Sequence, residues 1–230
     1  KVTVGAVSCS VNAGIDKTIY KGATTTLTAT GIGNFLWNTG ATTSSINVKP
    51  NQTSTYVVTI SNNNCTASDN VVVIVNELII NADENKAICE GNDVVLTVTG
   101  GDTYQWTASN GLKYFGSSIT VKPTQTTTYT VIGYKEGGFG TDAVIVTVNK
   151  LPYPNLMKDT TITYGDSIEI KTNTKADVYI WNVEQTSSSI IVKPAYETTY
   201  KVTAIDANYC SASDQVVVNV KNAFYIYKIV

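Results

Sequence analysis

The chain has 230 residues, a formal net charge of -2 at pH 7 and 16 basic residues, all of them lysine because arginine is absent. Histidine is absent as well, so the chain lacks both the usual general base near neutral pH and the bidentate fork that binds phosphate. The lysines are scattered singly and offer no basic stripe to nucleic acid, and no run of about 18 apolar residues predicts a transmembrane helix.

The first predicted elements are short strands. Residues 1–7, KVTVGAV, resemble the end of a strand, and we expect the chain to be part of a longer secreted polypeptide. Five segments follow in which apolar and polar residues alternate: TTTLTATG, NFLWNT, SSINVKP, TYVVTIS and NVVVIV. Such alternation, with β-branched residues and breaks at Gly, Asn and Pro, is typical of half-buried antiparallel strands.

One stretch of eleven residues, INVKPNQTSTY, recurs as near-copies that start at Ile46, Ile119 and Ile190. Each copy follows a tryptophan, and a glycine lies 15 or 16 residues before that tryptophan. Each copy also precedes an apolar run, at 70–75, 143–148 and 215–220. A period of about 70 residues predicts three similar structural units.

The repeat sets the predicted fold. Strands of about five residues, spaced about every ten, predict a small β-sandwich in each unit. We therefore predict an all-β chain of three tandem immunoglobulin-like (Greek-key) β-sandwich domains in an extended array. The predicted first, second and third modules span 11–76, 77–149 and 150–222. Residues 1–10 are predicted to end a preceding module or linker, and 223–230 to form a C-terminal strand or start a next module.

Two sets of aromatic residues are predicted to be structural. Tyr56, Tyr129 and Tyr200 each begin a strand just after a strand-ending Pro, which indicates a tyrosine corner; an exposed binding ladder is the alternative. The second set is the tryptophan on the predicted third strand of each unit, which has an aromatic residue two positions before it: Trp37, Trp106 and Trp181. This register favours the central core position over an outward row that stacks on sugar rings.

The first unit, from DKTIY to NVVVIV, resembles the Ig-like modules, related to PKD-like domains, of large surface and gliding-associated proteins of Gram-negative bacteria. Those proteins use the type IX secretion route. The run W.TGATTSSI.V.P..T.TY.V carries the resemblance; the second unit matches it less well and the third moderately. The resemblance covers nearly the whole chain. It implies display on the bacterial cell surface as a spacer or adhesive repeat, without naming a ligand.

Four cysteines in a secreted protein predict disulfides. The resemblance implies one Cys two residues before the landmark Gly and another in the last hairpin of each module. No unit keeps both, because the paired positions hold Tyr20 and Cys65, Cys89 and Gly138, and Thr163 and Cys210.

Cys9, in the lead-in to the first module, is expected to pair with Cys65 in place of the missing partner. Cys89 and Cys210 belong to different modules, and an extended array would hold their Cα atoms beyond the 7 Å limit of a disulfide. Both are therefore expected to be free thiols.

Two groups of residues are candidates for binding. Asp69, Asp142 and Asp214 each lie two residues before the final strand, which indicates either an Asx turn or a Ca²⁺ site between modules. The second module also has a longer loop between its Trp and Pro. It contains Asn110, Tyr114 and Phe115, which we predict to bind a ligand; an edge hairpin packed on a neighbouring unit is the alternative.

The leading functional hypothesis is a non-catalytic stalk or adhesin segment of a secreted bacterial cell-surface protein. Its expected partners are a host or environmental surface glycan or protein and the neighbouring modules of the same polypeptide. The alternative is a carbohydrate-binding or accessory spacer segment of a secreted glycan-active enzyme. An enzyme that uses only Asp, Glu, Ser or Lys is disfavoured, because no paired carboxylates recur. No catalytic residue, metal or cofactor is predicted.

Overall fold

The computed structural model describes residues 9–62 and 65–222, which contain 22 β-strands and no helix. The predicted C-terminal segment 223–230 and all but the last two residues of the predicted segment 1–10 lie outside these described residues. The prediction of tandem immunoglobulin-like β-sandwiches is confirmed, since the described strands form seven sheets that group by repeat, three in the first repeat and two in each of the others.

The first sandwich contains eight strands. They are β1 (Val11–Asn12), β2 (Lys17–Tyr20), β3 (Thr25–Thr28), β4 (Thr30–Gly31), β5 (Asn34–Trp37), β6 (Ser45–Val48), β7 (Ser54–Asn62) and β8 (Cys65–Asn76). The main sheet has the order β2-β8-β7-β5; β3 pairs with β6, and β1 pairs with β4. The pairing of β2 with β8 is parallel, whereas β7 is antiparallel to both of its neighbours. Trp37, Leu27 and Val58 lie in the core between the sheets.

The second sandwich also contains eight strands. They are β9 (Asn81–Ala82), β10 (Lys86–Cys89), β11 (Val94–Thr99), β12 (Thr103–Ala108), β13 (Lys113–Phe115), β14 (Ser118–Val121), β15 (Thr127–Lys135) and β16 (Gly138–Asn149). One sheet has the order β10-β16-β15-β12-β13 and the other β14-β11-β9. Only this sandwich has the short strand β13, which lies at the edge of the five-stranded sheet among the described strands.

The third sandwich contains six strands. They are β17 (Thr160–Thr163), β18 (Ile168–Lys171), β19 (Val178–Trp181), β20 (Ser189–Val192), β21 (Thr198–Ile205) and β22 (Ser211–Lys221). The order β17-β22-β21-β19 matches that of the first sandwich, again with a parallel first pair, and β18 pairs with β20. Trp181, Ile170 and Val202 lie in its core.

Local sequence explains the repeated strand and the turn before it. Ile46 and Val48 are buried on β6 while Asn47 between them is exposed, as the two-residue period of a strand requires. The strand ends before Pro50, which has no N–H to donate to a ladder. The landmark Gly22 has a φ of 90°, and Gly91 and Gly165 have nearly the same value, so these turns need a residue without a Cβ.

The chain divides into two compact units. The first holds the described residues up to Lys86, together with Val94–Val121 and Thr127–Ile145. The second holds Ala87–Asp93, Lys122–Thr126 and the described residues from Val146 onwards. The second sandwich therefore contributes residues to both units.

Candidate functional site

The three tryptophans are buried and their polar groups are satisfied. Trp37, Trp106 and Trp181 are exposed by only 1%, 0% and 2%. Each indole N–H donates a hydrogen bond of 2.9 to 3.1 Å to a backbone carbonyl of the following loop, at Thr43, Gly116 and Ser187 respectively. A buried indole with a satisfied N–H packs the core and has no face left for a sugar ring.

The corner tyrosines also face inward. Tyr129 and Tyr200 are exposed by 2% and 5%, and Tyr56 is half-buried against the first core. Burial raises the pKa of the Tyr129 phenol above its ordinary value, and the neighbouring Tyr114 raises it further. Burial likewise raises the pKa of Tyr200, against a hydrogen bond with Thr198 that lowers it. These rings do not form an exposed ladder.

The repeated aspartates brace the start of each module. In each module, the Oδ2 atom of the aspartate accepts a hydrogen bond from a backbone N–H near the start of that module. The pairs are Asp69 with Ala13 at 2.9 Å, Asp142 with Ala82 at 2.8 Å and Asp214 with Leu156 at 2.7 Å. The prediction that these aspartates lie in a loop before the final strand is wrong. The final strand of each module begins earlier and already includes the aspartate, in β8, β16 and β22.

A second polar brace lies three residues after each anchored N–H. Asp16, Asn85 and Asp159 accept hydrogen bonds of 2.8 Å from backbone N–H groups of the last strand, at positions 72, 145 and 217. Sequence analysis missed these residues. The available signal was the recurrence of a short polar side chain six residues before each landmark glycine, Gly22, Gly91 and Gly165.

Both oxygens of Asp142 and Asp214 accept backbone hydrogen bonds, since the N–H of the following residue donates to Oδ1 at 2.8 Å. At Asp69, hydrogen bonds from Ala13 and Asn70 hold the pKa below its ordinary value. Within residues 9–62 and 65–222, no group of three or more Cys, Asp or Glu side chains is arranged to hold a metal ion. The braces are therefore structural groups, satisfied without a cation.

The predicted binding loop of the second module forms the β12–β13 hairpin. Asn110 Oδ1 accepts a hydrogen bond of 3.1 Å from the N–H of Leu112, which stabilises the turn. Tyr114 pairs with Trp106 on the core face, and its ring centroid lies 6.2 Å from that of Tyr129. Phe115 is 70% exposed. Tyr114 and Phe115 therefore lie on opposite faces of β13.

Phe115 instead belongs to the outer face of the five-stranded sheet. It pairs with Gln105, which pairs in turn with Ile132 on β15, so the three residues form one row across the strands. Tyr134, two residues beyond Ile132, lies on the same face and is 42% exposed. We call the surface made by Phe115, Gln105, Ile132 and Tyr134 the outer face; it carries two exposed aromatic rings and one amide.

In the first unit, the last hairpin of the second sandwich contacts the first sandwich. A Cβ built on Gly138 would overlap the Cβ of Tyr20, and one built on Gly22 would lie 2.9 Å from the Phe139 ring. Beside this contact is an open groove of about 390 Å³, lined in part by Phe139, Ile79 and the ion pair of Lys21 with Glu77 at 3.5 Å. Glycine at 138 therefore permits a close approach of two backbones.

All four cysteines are bonded. Cys9, in the lead-in segment, forms a disulfide with Cys65 of the first module, with Cα atoms 6.0 Å apart. Cys89 and Cys210 form a second disulfide, with Cα atoms 5.5 Å apart across a sequence separation of 121 residues. The expectation that Cys89 and Cys210 are free thiols is therefore wrong. It assumed that an extended array keeps cysteines of different modules more than 7 Å apart, whereas β10 and the hairpin before β22 meet in the second unit.

No protein-family model matches the chain, and no curated protein matches it. Among solved structures, one three-domain tandem of titin is similar at 12% identity and a TM-score of 0.46, covering 94% of this chain and 100% of that one. A second titin tandem has 10% identity and a TM-score of 0.40 over the same shares. Extracellular domains 3 to 5 of Drosophila OTK have 10% identity and a TM-score of 0.37, covering 90% of this chain and 94% of that one. At these identities the likeness concerns the fold alone.

Residues 9–62 and 65–222 contain no helix that is long and apolar enough to cross a membrane.

Proposed function

We propose that the chain is a non-catalytic structural or adhesive segment of a secreted bacterial cell-surface protein of the type IX secretion route. The single observation that carries the proposal is the use of the repeated acidic residues. Each of Asp69, Asp142 and Asp214 accepts hydrogen bonds from the backbone of its own module, so none is free to act as a general acid or base. Side chains that would serve chemistry in an enzyme here serve the fold.

Two disulfides support an extracellular location, because such bonds persist in oxidising compartments and are rare in the cytosol. The resemblance of the first repeat to modules of bacterial surface proteins supports the outer surface of a Gram-negative cell. The module boundaries 11–76, 77–149 and 150–222 are part of this proposal.

Surface display is tested on intact cells of the source organism. An antibody raised against the purified chain should label unpermeabilised cells, and external protease should remove the signal while leaving a cytoplasmic marker intact. Labelling that requires permeabilisation contradicts the proposal. Deletion of a component of the secretion route should retain the protein in the periplasm; unchanged surface labelling in that strain would exclude the type IX route.

A second candidate function, carbohydrate binding, is favoured by the outer face. Phe115 is 70% exposed beside Gln105, and a flat ring next to an amide is the usual way in which a sandwich face holds a sugar. A glycan array probed with the chain and with F115A tests this candidate. The matched control is Y196A, which removes a ring of 75% exposure in the third module.

If carbohydrate is the ligand, F115A should lower the binding affinity about tenfold, because one lost stacking contact costs roughly 1.4 kcal/mol of binding free energy. Y196A should bind like the unaltered chain. Equal loss in both variants would indicate non-specific adhesion through exposed rings. Absence of binding to any glycan would remove this candidate and leave the structural role.

A further inference from the structure

The two cysteines of the second disulfide occupy a position pair that also occurs elsewhere in the repeat. Cys89 lies two residues before Gly91, as Tyr20 lies two residues before Gly22. Cys210 lies in the hairpin that leads into β22, as Gly138 begins β16 after the corresponding hairpin. We call the first member of this pair the turn position and the second the hairpin position.

The pair joins one module to the next in each unit. In the first unit, Tyr20 at the turn position of the first module packs directly on Gly138 at the hairpin position of the second. In the second unit, Cys89 at the turn position of the second module is bonded to Cys210 at the hairpin position of the third. The same two positions thus meet twice, once as a large side chain over a glycine and once as a covalent bond.

We propose that the Cys89–Cys210 disulfide is a redox-controlled latch between the second and third modules. While it is closed, strand β10 and the last hairpin of the third module are covalently joined, in addition to the chain that runs through residues 150–159. When it is reduced, the polypeptide chain is the one covalent connection left between the two modules. Cys9–Cys65 joins the lead-in segment to the first module, so its reduction leaves the connection between the second and third modules unchanged.

Burial defines how the latch opens. Cys210 is fully buried, whereas Cys89 is half-buried, so the sulfur of Cys89 is the one that an external thiolate reaches. A dithiol reductant attacks Cys89 Sγ, the bond between the two cysteine sulfurs breaks, and the pair of electrons leaves on Cys210 Sγ, which takes up a proton. The second thiol of the reductant then displaces Cys89 as a thiol. The reductant ends as a disulfide, so two electrons and two protons have passed to the protein.

The surroundings of Cys210 suit a released thiol. Its Sγ lies 3.9 Å from the carbonyl oxygen of Asn208, which is able to accept a hydrogen bond from the S–H. Its backbone N–H is held by Asp206 Oδ1 at 2.9 Å, which keeps the residue in place after the bond opens. Reduction therefore releases the connection without requiring the hairpin to unfold.

The first experiment uses the one methionine of the chain, Met157, which lies in the first residues of the third module and between Cys89 and Cys210 in the sequence. Cyanogen bromide cleaves after it in denaturing acid, where disulfides survive. Without reductant, the two fragments should migrate and weigh as one cross-linked species; after reduction they should separate into 1–157 and 158–230. Fragments that separate without reductant overturn the proposal.

The second experiment tests the latch in the folded chain. Trypsin cleavage at Lys150 and Lys158, on either side of the connecting segment, is followed with and without a dithiol. Reduction should raise the cleavage rate severalfold, and C89S/C210S should be cleaved at the fast rate under both conditions. The matched control C9S/C65S should keep the response to reductant. Circular dichroism of each sample shows that the sandwiches remain folded.

Equal cleavage rates before and after reduction, when mass spectrometry shows the Cys89–Cys210 bond to be open, would overturn the latch. A C89S/C210S variant that still responds to the dithiol would do the same, because the response would then come from Cys9–Cys65.

Discussion

Asp142 Oδ2 accepts a hydrogen bond of 2.8 Å from the backbone N–H of Ala82, which lies 60 residues earlier in the chain. The other oxygen accepts the N–H of Ala143 at 2.8 Å. One side chain thus fixes the segment that enters the second module against the strand that leaves it. The same arrangement in the other two modules makes this carboxylate a repeated closing element of the sandwich.

Replacing Asp142 with Ala should lower the free energy of unfolding by about 1–3 kcal/mol, because the part-buried N–H of Ala82 loses its acceptor. Urea unfolding followed by tryptophan fluorescence measures the change. The matched control is D93A, since Asp93 is 61% exposed and its ion pair with Lys122 is long, at 3.4 Å. That control should change stability by less than about 0.5 kcal/mol. A D142A variant as stable as D93A would show that the brace contributes nothing.

Asp83 should make the first unit sensitive to acid. Its burial alone would raise the pKa of the carboxyl, but hydrogen bonds from Lys86 and from the N–H and hydroxyl of Thr97 outweigh it and lower the pKa below the ordinary 3.8. A depressed carboxyl pKa adds stability that is present above 3.8 and is lost as the pH falls through the folded-state value. D83N should therefore be less stable than the unaltered chain at neutral pH and equal to it in strong acid.

Thermal unfolding of both chains at intervals of half a pH unit checks the effect of Asp83. The two stability curves should converge as the pH falls. Parallel curves across the acid range would mean that the ionised carboxylate has no special role.

Tyr129 should make the protein sensitive to alkali. Burial, aided by Tyr114, raises the pKa of its phenol above 10.0. A raised phenol pKa means that the full stability is present below 10.0 and is lost as the pH rises through the folded-state value, since the unfolded chain ionises first. Y129F cannot ionise, so it should lose less stability than the unaltered chain between roughly pH 9.5 and 11.5.

Thermal melts across that alkaline range, with tyrosinate absorbance as the readout of ionisation, measure the difference. Y153F is the matched control, because Tyr153 is 53% exposed and outside the cores. A control that flattens the alkaline profile as much as Y129F would show that burial of Tyr129 is not the cause.

Gly138 should tolerate no side chain while Tyr20 remains in place. G138A should lower the free energy of unfolding by about 1–3 kcal/mol, because the added Cβ would overlap the Cβ of Tyr20. In the Y20G background, where the overlapping Cβ is absent, the same G138A change should lower the free energy of unfolding by less. A double-mutant cycle based on urea unfolding measures this difference. Strictly additive effects would show that the two positions do not touch.

The strands and the buried aromatic residues were accessible to sequence analysis because each carries a local signal. Ile46 and Val48 alternate with exposed neighbours, and a tryptophan recurs 15 or 16 residues after a glycine whose φ is positive. These patterns depend on residues within one module, and local periodicity is what a single sequence records well. The fold class followed from them.

The disulfide and the braces were not accessible, because they depend on distant parts of the chain. Cys89 and Cys210 are 121 residues apart, and nothing local in either segment records that β10 meets the hairpin of the next module. Asp142 has the sequence signature of a turn residue, and only the length of β16 makes it a strand residue that faces Ala82. Phe115 and Tyr114 are adjacent in sequence, so their opposite orientations became clear only with the register of β13.

The parallel pairing of β2 with β8, and of β17 with β22, determines how a module responds to tension. Lys17 to Tyr20 run alongside Val73 to Asn76 in the same direction, so a pull on the two ends of the module slides these strands past each other lengthwise. All of the hydrogen bonds between them are then loaded in shear at once, rather than opened one after another like a zipper. A chain built from such modules resists stretching at the point where each module begins and ends.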